Sequence, residues 1–284
     1  MWLEKFFKKQ FIAFYKEDEY KTILQVVKNK QILSTEEKSF EDKKEFVKYI
    51  REKIDDNPQT YISTVLLTIN QGVIPSCSKQ VYLDKDIDPD NVKILCLGKY
   101  SFYVSFYELR NLENEYKFDL DFVYSVFAVI DAMADERKNR FYLLVLKNHL
   151  VILGYENFIP IYSDIIELNE EEPGDIDEDI VEDIDLEEEL ISDIDSVEEE
   201  EIDDSEITNE QTSKEAEILN HLKSAIKEYY DNYSSDFIEK IIILDTIGID
   251  ITLNSLIEDE LLISSEIKQI DFLNSINRLS IESV

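Results

Sequence analysis

Two stretches of this chain carry the same order of elements, and an internal repeat of that kind constrains the fold more than any single segment does. In the first stretch, "FIAFYKED", "EYKTILQVVKN" and "KQILSTEEKSF" are rich in β-branched and aromatic residues. They are separated by polar turn candidates at Glu17 to Glu19 and at Asn29-Lys30, which reads as a three-stranded meander. "EDKKEFVKYIREKIDD" follows, with Phe46, Val47, Ile50 and Ile54 at helical spacing behind an acidic start that suits a helix N-terminus. "QTYISTVLLTIN" is then a buried strand, ended by Gln71-Gly72 and Pro75. In the second stretch, Phe141 to Ile166 supplies three strands and "KEAEILNHLKSAIKEYYDNYSSD" a helix with Ile218, Leu219, Leu222 and Ile226 on one stripe. "FIEKIIILDTIGI" supplies the strand after it. The residues differ between the copies, but the order strand, strand, strand, helix, strand does not. Between them, "KILCLGKYSFYVSFYELRNL" reads as strand rich. "FDLDFVYSVFAVIDAMADERKN" reads as a helix with Phe122, Val126, Val129, Ile130 and Met133 on one face.

The expected fold class is therefore α/β, with a first lobe over 1–140 and a second over 141–284. The second copy carries an acidic stretch, 167–213, between its third strand and its helix. Residues 167–206 hold 23 Asp and Glu and no Lys or Arg, so removing them from the formal charge of −35 leaves −12 on the rest. With no aromatic residue and one Pro-Gly pair, this stretch is expected to be a disordered linker over Glu170 to Asp204. The body is acidic as well, which argues against a nucleic-acid partner that would need a basic stripe. Cys77 and Cys96 stand far apart with no Cys-x-x-Cys, so neither a disulfide framework nor a zinc site is indicated, and a reducing cytoplasm fits. The opening "MWLEKFFKKQFIAFYKEDEY" lacks the apolar core of a signal peptide. No run approaches the roughly 20 apolar residues of a membrane span.

Two copies of this unit form the scaffold of the actin, sugar-kinase and heat-shock ATPase superfamily. Within it the chain resembles the PilM family of type IV pilus assembly and the related cytoplasmic domain of GspL from type II secretion. The likeness lies in the lead "LEKFFKK", the meander "LKNHLVILGYENFIPIYSDII", the closing "LNHLKSAIKEYYDNYSSDFIEKIIIL" and the final "LNSINRLSIES". It implies an actin-like fold and a cytoplasmic scaffold. The implied partner is the cytosolic tail of a single-span inner-membrane protein in a pilus, secretion or DNA-uptake machine, with a secretion ATPase as a further partner. The absence of a membrane span favours the PilM side.

In nucleotide-binding members of the superfamily, glycine-bearing turns let backbone N–H groups approach the phosphates. Here the first such turn reads "YKEDEYK", the second is Lys147-Asn148-His149, and the segment that would meet adenosine is "LDTIGID", with Gly248 alone. The expectation is a non-enzyme without a cofactor. An active ATPase of the same fold and a stand-alone acidic regulatory protein are the rival readings.

Other residues invite sharper assignments. His149, like His221, is read as structural or exposed. Asp175, Asp177 and Asp179 have the spacing of a calcium loop, but Ile180 replaces its glycine and Leu186 its last ligand. Asp119 and Asp121 are read as helix caps in preference to a catalytic pair. Trp2, Phe6 and Phe7 beside Lys5, Lys8 and Lys9 read as a lead into the first strand in preference to a membrane contact. No catalytic, cofactor or metal residue is assigned, and the sequence does not place the partner-binding residues.

Overall fold

A computed structural model describes residues 8–168, 207–234 and 236–284. Strands β1 (Lys9–Lys16), β2 (Tyr20–Lys28) and β3 (Gln31–Phe40) form the expected meander. Asn29 and Lys30 both take positive φ in the tight turn between β2 and β3, the backbone that matches the twist of a two-residue hairpin. Helix α1 (Lys43–Asp56) starts at Asp42, whose side chain accepts from the amides of Lys44 and Glu45. It buries Phe46, Tyr49 and Ile50. Phe46 stacks on Tyr20 with ring centroids 4.5 Å apart. Strand β4 (Thr60–Leu66) returns parallel to β1, as a crossover through a helix requires.

A small three-stranded sheet comes next, built from β5 (Gln71–Ile74), β6 (Val92–Cys96) and β7 (Ser101–Ser105) in the order β5-β7-β6. Helices α2 (Lys79–Asp84) and α3 (Phe106–Tyr116) flank it. The last third of the segment expected to be strand rich is therefore helix, starting where the Ser105 hydroxyl caps Tyr107 N. The segment expected to be one amphipathic helix also divides, into β8 (Phe122–Ser125) and α4 (Val126–Met133). Phe122 fits a helical stripe by spacing, yet β8 pairs with the open edge of β4 and completes the sheet β3-β2-β1-β4-β8.

Strands β9 (Arg140–Val145), β10 (His149–Glu156) and β11 (Ile159–Glu167) open the second copy. Helix α5 (Ile207–Asn232), β12 (Lys240–Asp245), α6 (Thr252–Leu261) and β13 (Ser264–Gln269) complete it. The order β11-β10-β9-β12-β13 reproduces that of the first sheet strand for strand. The fifth strand, β13, has no counterpart in the sequence reading. Residues 169–206, with the expected disorder over Glu170 to Asp204 and the Asp175, Asp177 and Asp179 triplet, lie outside the described residues, as do Trp2, Phe6 and Phe7.

The two large sheets occupy residues 9–125 and 140–269, but the last helix, α7 (Phe272–Ser283), packs on β1, β2 and β4 of the first. The core between the lobes joins α4 residues Val126, Phe127, Val129 and Ile130 to Ala13 and Ile23 on one side, Leu144 and Val151 on the other, and Phe272 and Ile276 of α7. A second core lies between sheet one and α1, and a third between sheet two and helices α5 and α6. Asn277 of α7 is fully buried and donates to the carbonyls of Phe11 and Ile23 at 3.2 and 3.4 Å.

One expectation is overturned. Cys77 and Cys96 form a disulfide, with Cα atoms 5.6 Å apart. Ser101 of β7 pairs with Ile74 at the end of β5 and with Cys96 at the end of β6. The central strand therefore brings the two edges of the small sheet to one end, and the few residues after β5 reach across. Nothing in the spacing of the cysteines carries that topology.

Candidate functional site

The turns after β1 and β9 occupy equivalent places in the two copies, and they touch each other between the lobes. Turn one holds Glu17, Asp18 and Glu19. Turn two is closed by Leu146 N donating to His149 O at 2.9 Å, which leaves the amides of Lys147 and Asn148 pointing out of the hairpin. Such adjacent N–H groups form an anion-binding concavity. Here the concavity is filled from within the chain. Glu17 Oε1 accepts from Asn148 N at 2.8 Å and Oε2 from Lys147 N at 3.3 Å. His149 Nδ1 lies 3.5 Å from Glu17 Oε1. The Glu17 side chain is 2% exposed.

Asp18 reinforces the contact from outside. Its carboxylate accepts from Asn148 Nδ2 at 2.6 Å and pairs with Lys147 Nζ at 2.6 Å. Lys214 of α5 donates to Lys147 O at 2.5 Å, and Leu168 N donates to Asn148 O at 2.9 Å. Burial alone would raise the Glu17 carboxyl. The hydrogen bonds from His149, Asn148 and Lys147 outweigh it and hold the group below its ordinary value. Asp18, at the surface, is also lowered, first by its bond from Lys147.

The third loop is closed by the same device. Asp245, 3% exposed at the end of β12, accepts from Ile247 N at 2.9 Å, Gly248 N at 2.9 and 3.1 Å and Ile249 N at 3.1 Å. Gly248 takes a φ of +83° there, which a residue with a Cβ adopts only under strain. Glu215 of α5 accepts from Asp250 N at 3.3 Å. The backbone donors of two of the three loops that would meet a nucleotide are thus engaged by carboxylates of the chain itself.

His149, read from sequence as having no role, belongs to this contact. His221 lies on α5, 3.8 Å from Glu217. Asp119 and Asp121 do not cap a helix, since α4 begins after Ser125. Asp121 Oδ2 accepts from Ile62 N at 2.8 Å while its own amide donates to Ile62 O, extending the pairing of β4 with β8. Glu17 was missed because the residues that hold it are far away in sequence. The signal available was the pairing of acids in the first turn with Lys147 in the equivalent turn of the second copy.

Among the described residues no group of three or more His, Cys, Asp or Glu is arranged to hold a metal ion, and no helix is long and apolar enough to cross a membrane. An open depression of about 540 Å³ lies against α1 and is lined by Lys43, Lys48, Arg51, Glu115 and Tyr116 among others.

Paired five-stranded sheets of one order, joined at a cleft whose turns correspond, define an actin-like ATPase fold. A Bacteroides thetaiotaomicron protein described as having that fold and unknown function is similar over 97% of this chain and 95% of its own, at 12% identity and a TM-score of 0.51. The PilM–PilN type IV pilus biogenesis complex is similar over 95% of this chain and 90% of that one, at 10% identity and a TM-score of 0.49. The cytoplasmic domain of EpsL, an inner membrane component of the type II secretion system of Vibrio cholerae, is similar over 97% and 96%, at 10% identity and a TM-score of 0.45. Residues 134–284 match the family described as Domain of unknown function (DUF8341), and the chain belongs to that family. Residues 7–131 match a second, described as Domain of unknown function (DUF8569). No curated protein matches.

Proposed function

We propose that the protein is a non-catalytic scaffold of the actin-like fold. It docks the cytosolic tail of a single-span inner-membrane protein in a pilus, secretion or DNA-uptake machine, on the cytoplasmic face of that membrane. The observation that carries the reading is the filled second turn. A cleft built to cradle phosphate needs free backbone donors where the anion sits, and here Glu17 holds them, 2% exposed. A bound phosphate would have to displace a buried carboxylate and then face Asp18 and Glu19. Two complete lobes kept without that cradle are better suited to presenting a surface than to phosphoryl chemistry.

The choice of partner rests on the resemblance of "LEKFFKK", "LKNHLVILGYENFIPIYSDII" and "LNHLKSAIKEYYDNYSSDFIEKIIIL" to the PilM family. A secretion ATPase is a second partner in the same reading. An acidic protein draws in a tail containing Lys or Arg, and salt slows that association. The test is a titration of cytosolic tail peptides from membrane proteins encoded nearby, at low and moderate salt. Saturable binding that weakens with salt is expected. If no tail binds better than millimolar and the protein spreads diffusely through the cell, the stand-alone regulator is the better account.

A further inference from the structure

The second turn has the donors of an oxyanion site and already contains an oxyanion. We propose that the Lys147-Asn148-His149 turn is a functional oxyanion-binding site whose resident ligand is the Glu17 carboxylate, and that this internal ligand clasps the two lobes together in place of a nucleotide. Three features of the geometry carry this. The two carboxylate oxygens divide between adjacent amides, Asn148 N at 2.8 Å and Lys147 N at 3.3 Å, as the oxygens of a bound phosphate or carboxylate would. The ligand is removed from water while its donors belong to the opposite lobe, so the bond lies across the cleft and not within one domain. The cationic group beside it is Lys147 Nζ, the His149 ring lies 3.5 Å from the carboxylate, and the acidic neighbours are Asp18, which is itself bonded to Asn148 and Lys147, and Glu19.

If Glu17 acts as a ligand and not merely as packing, the site should accept a replacement. Glu17→Ala removes the carboxylate and takes the acceptor from the amides of Lys147 and Asn148. This should lower the melting temperature of the full chain by roughly 5 °C. Sodium formate or inorganic phosphate should restore part of that loss, sodium chloride at equal ionic strength should not, and the wild type should respond to none of them. Rescue by either anion supports the site. Rescue by formate alone marks it as selective for carboxylates, and rescue by phosphate as well marks it as a general oxyanion site.

An unchanged melting temperature in Glu17→Ala, or an equal response of wild type and variant to the anions, overturns the proposal. Should Glu17→Ala fail to fold, Glu17→Gln keeps the shape and loses the charge. Faster amide exchange at Lys147 and Asn148 in Glu17→Gln than in wild type is then the expected result, and equal exchange overturns it. None of these measurements uses a partner peptide. Their failure would be seen apart from tail binding, which is measured by titration, and failure of tail binding would leave the clasp standing.

Discussion

The amide of Asn148 donates to Glu17 Oε1 across 2.8 Å of space and 131 positions of sequence. The two residues occupy equivalent turns of a duplicated unit, and the duplication has been resolved into unlike halves. One turn supplies the anion and the other supplies the donors. The pair of turns closes on itself.

That contact makes stability depend on pH in a definite direction. The Glu17 carboxyl titrates below its ordinary value in the folded protein, whereas in the unfolded chain it titrates near about 4.3. A lowered folded pKa gives stability that is fully present above the unfolded value and is lost as pH falls through the folded one. The melting temperature of wild type should therefore exceed that of Glu17→Gln near neutral pH. The gap should narrow as the solution is acidified below the unfolded value and through the lowered folded one. Melting curves of both proteins across that range check it, and a gap independent of pH would separate Glu17 from the effect.

Nucleotide should find no site in the wild type. Calorimetry with ATP and magnesium is expected to give only heats of dilution, because the donors of turn two and of the Asp245 loop are occupied. Micromolar affinity, or turnover that disappears on mutating the cleft, would restore the ATPase reading.

Helix α7 should be indispensable to the first lobe. Ile276 is fully buried in the core between the lobes, so Ile276→Ala should cost about 2–5 kcal/mol. Asn277→Ala removes two buried hydrogen bonds and should cost about 1–3 kcal/mol. Glu282→Ala, on the exposed side of the same helix, should stay within about 0.5 kcal/mol. Urea denaturation of the three variants orders them, and the ranking fails if Glu282→Ala matches Ile276→Ala.

The small sheet should respond to reductant. Cys77 and Cys96 are both exposed and close a loop with a sequence separation of 19, so a reductant reaches them without unfolding. Loop closure of this size stabilises by about 3 kcal/mol on chain-entropy grounds. Paired serine substitutions should speed amide exchange in β5, β6 and β7 and leave β9 to β12 unchanged. Alkylation of both thiols without prior reduction would show that the pair is open in solution.

The sequence revealed most of the scaffold because its strands are unusually plain. Phe11 to Tyr15 and Phe141 to Leu146 are unbroken buried runs, and Asn29-Lys30 punctuates a hairpin as polar residues do. Three strands were not legible. β5 (Gln71–Ile74) lies where Gln71-Gly72 reads as the end of the preceding strand. β8 hides in a stretch whose spacing also fits a helix, and the vacant edge of β4 decides between them. β13, "SSEIKQ", is mostly half-exposed and offers little apolar alternation to read. The site was legible only by omission. The glycine-poor turns are plain in the sequence, but the contact of Glu17 with Lys147 and Asn148 joins distant turns, which no local pattern encodes.

The two family matches part the chain between residues 131 and 134, yet α7 lies on the first sheet. During synthesis β1 to β8 leave the ribosome long before α7 does. The sheet face carrying Ala13, Tyr15 and Ile23, which α7 residues Phe272 and Ile276 help to cover, must therefore wait while the whole second sheet is made. A half-finished molecule with a bare apolar face is prone to stick to its neighbours. The 23 acids of residues 167–206 are translated during that wait.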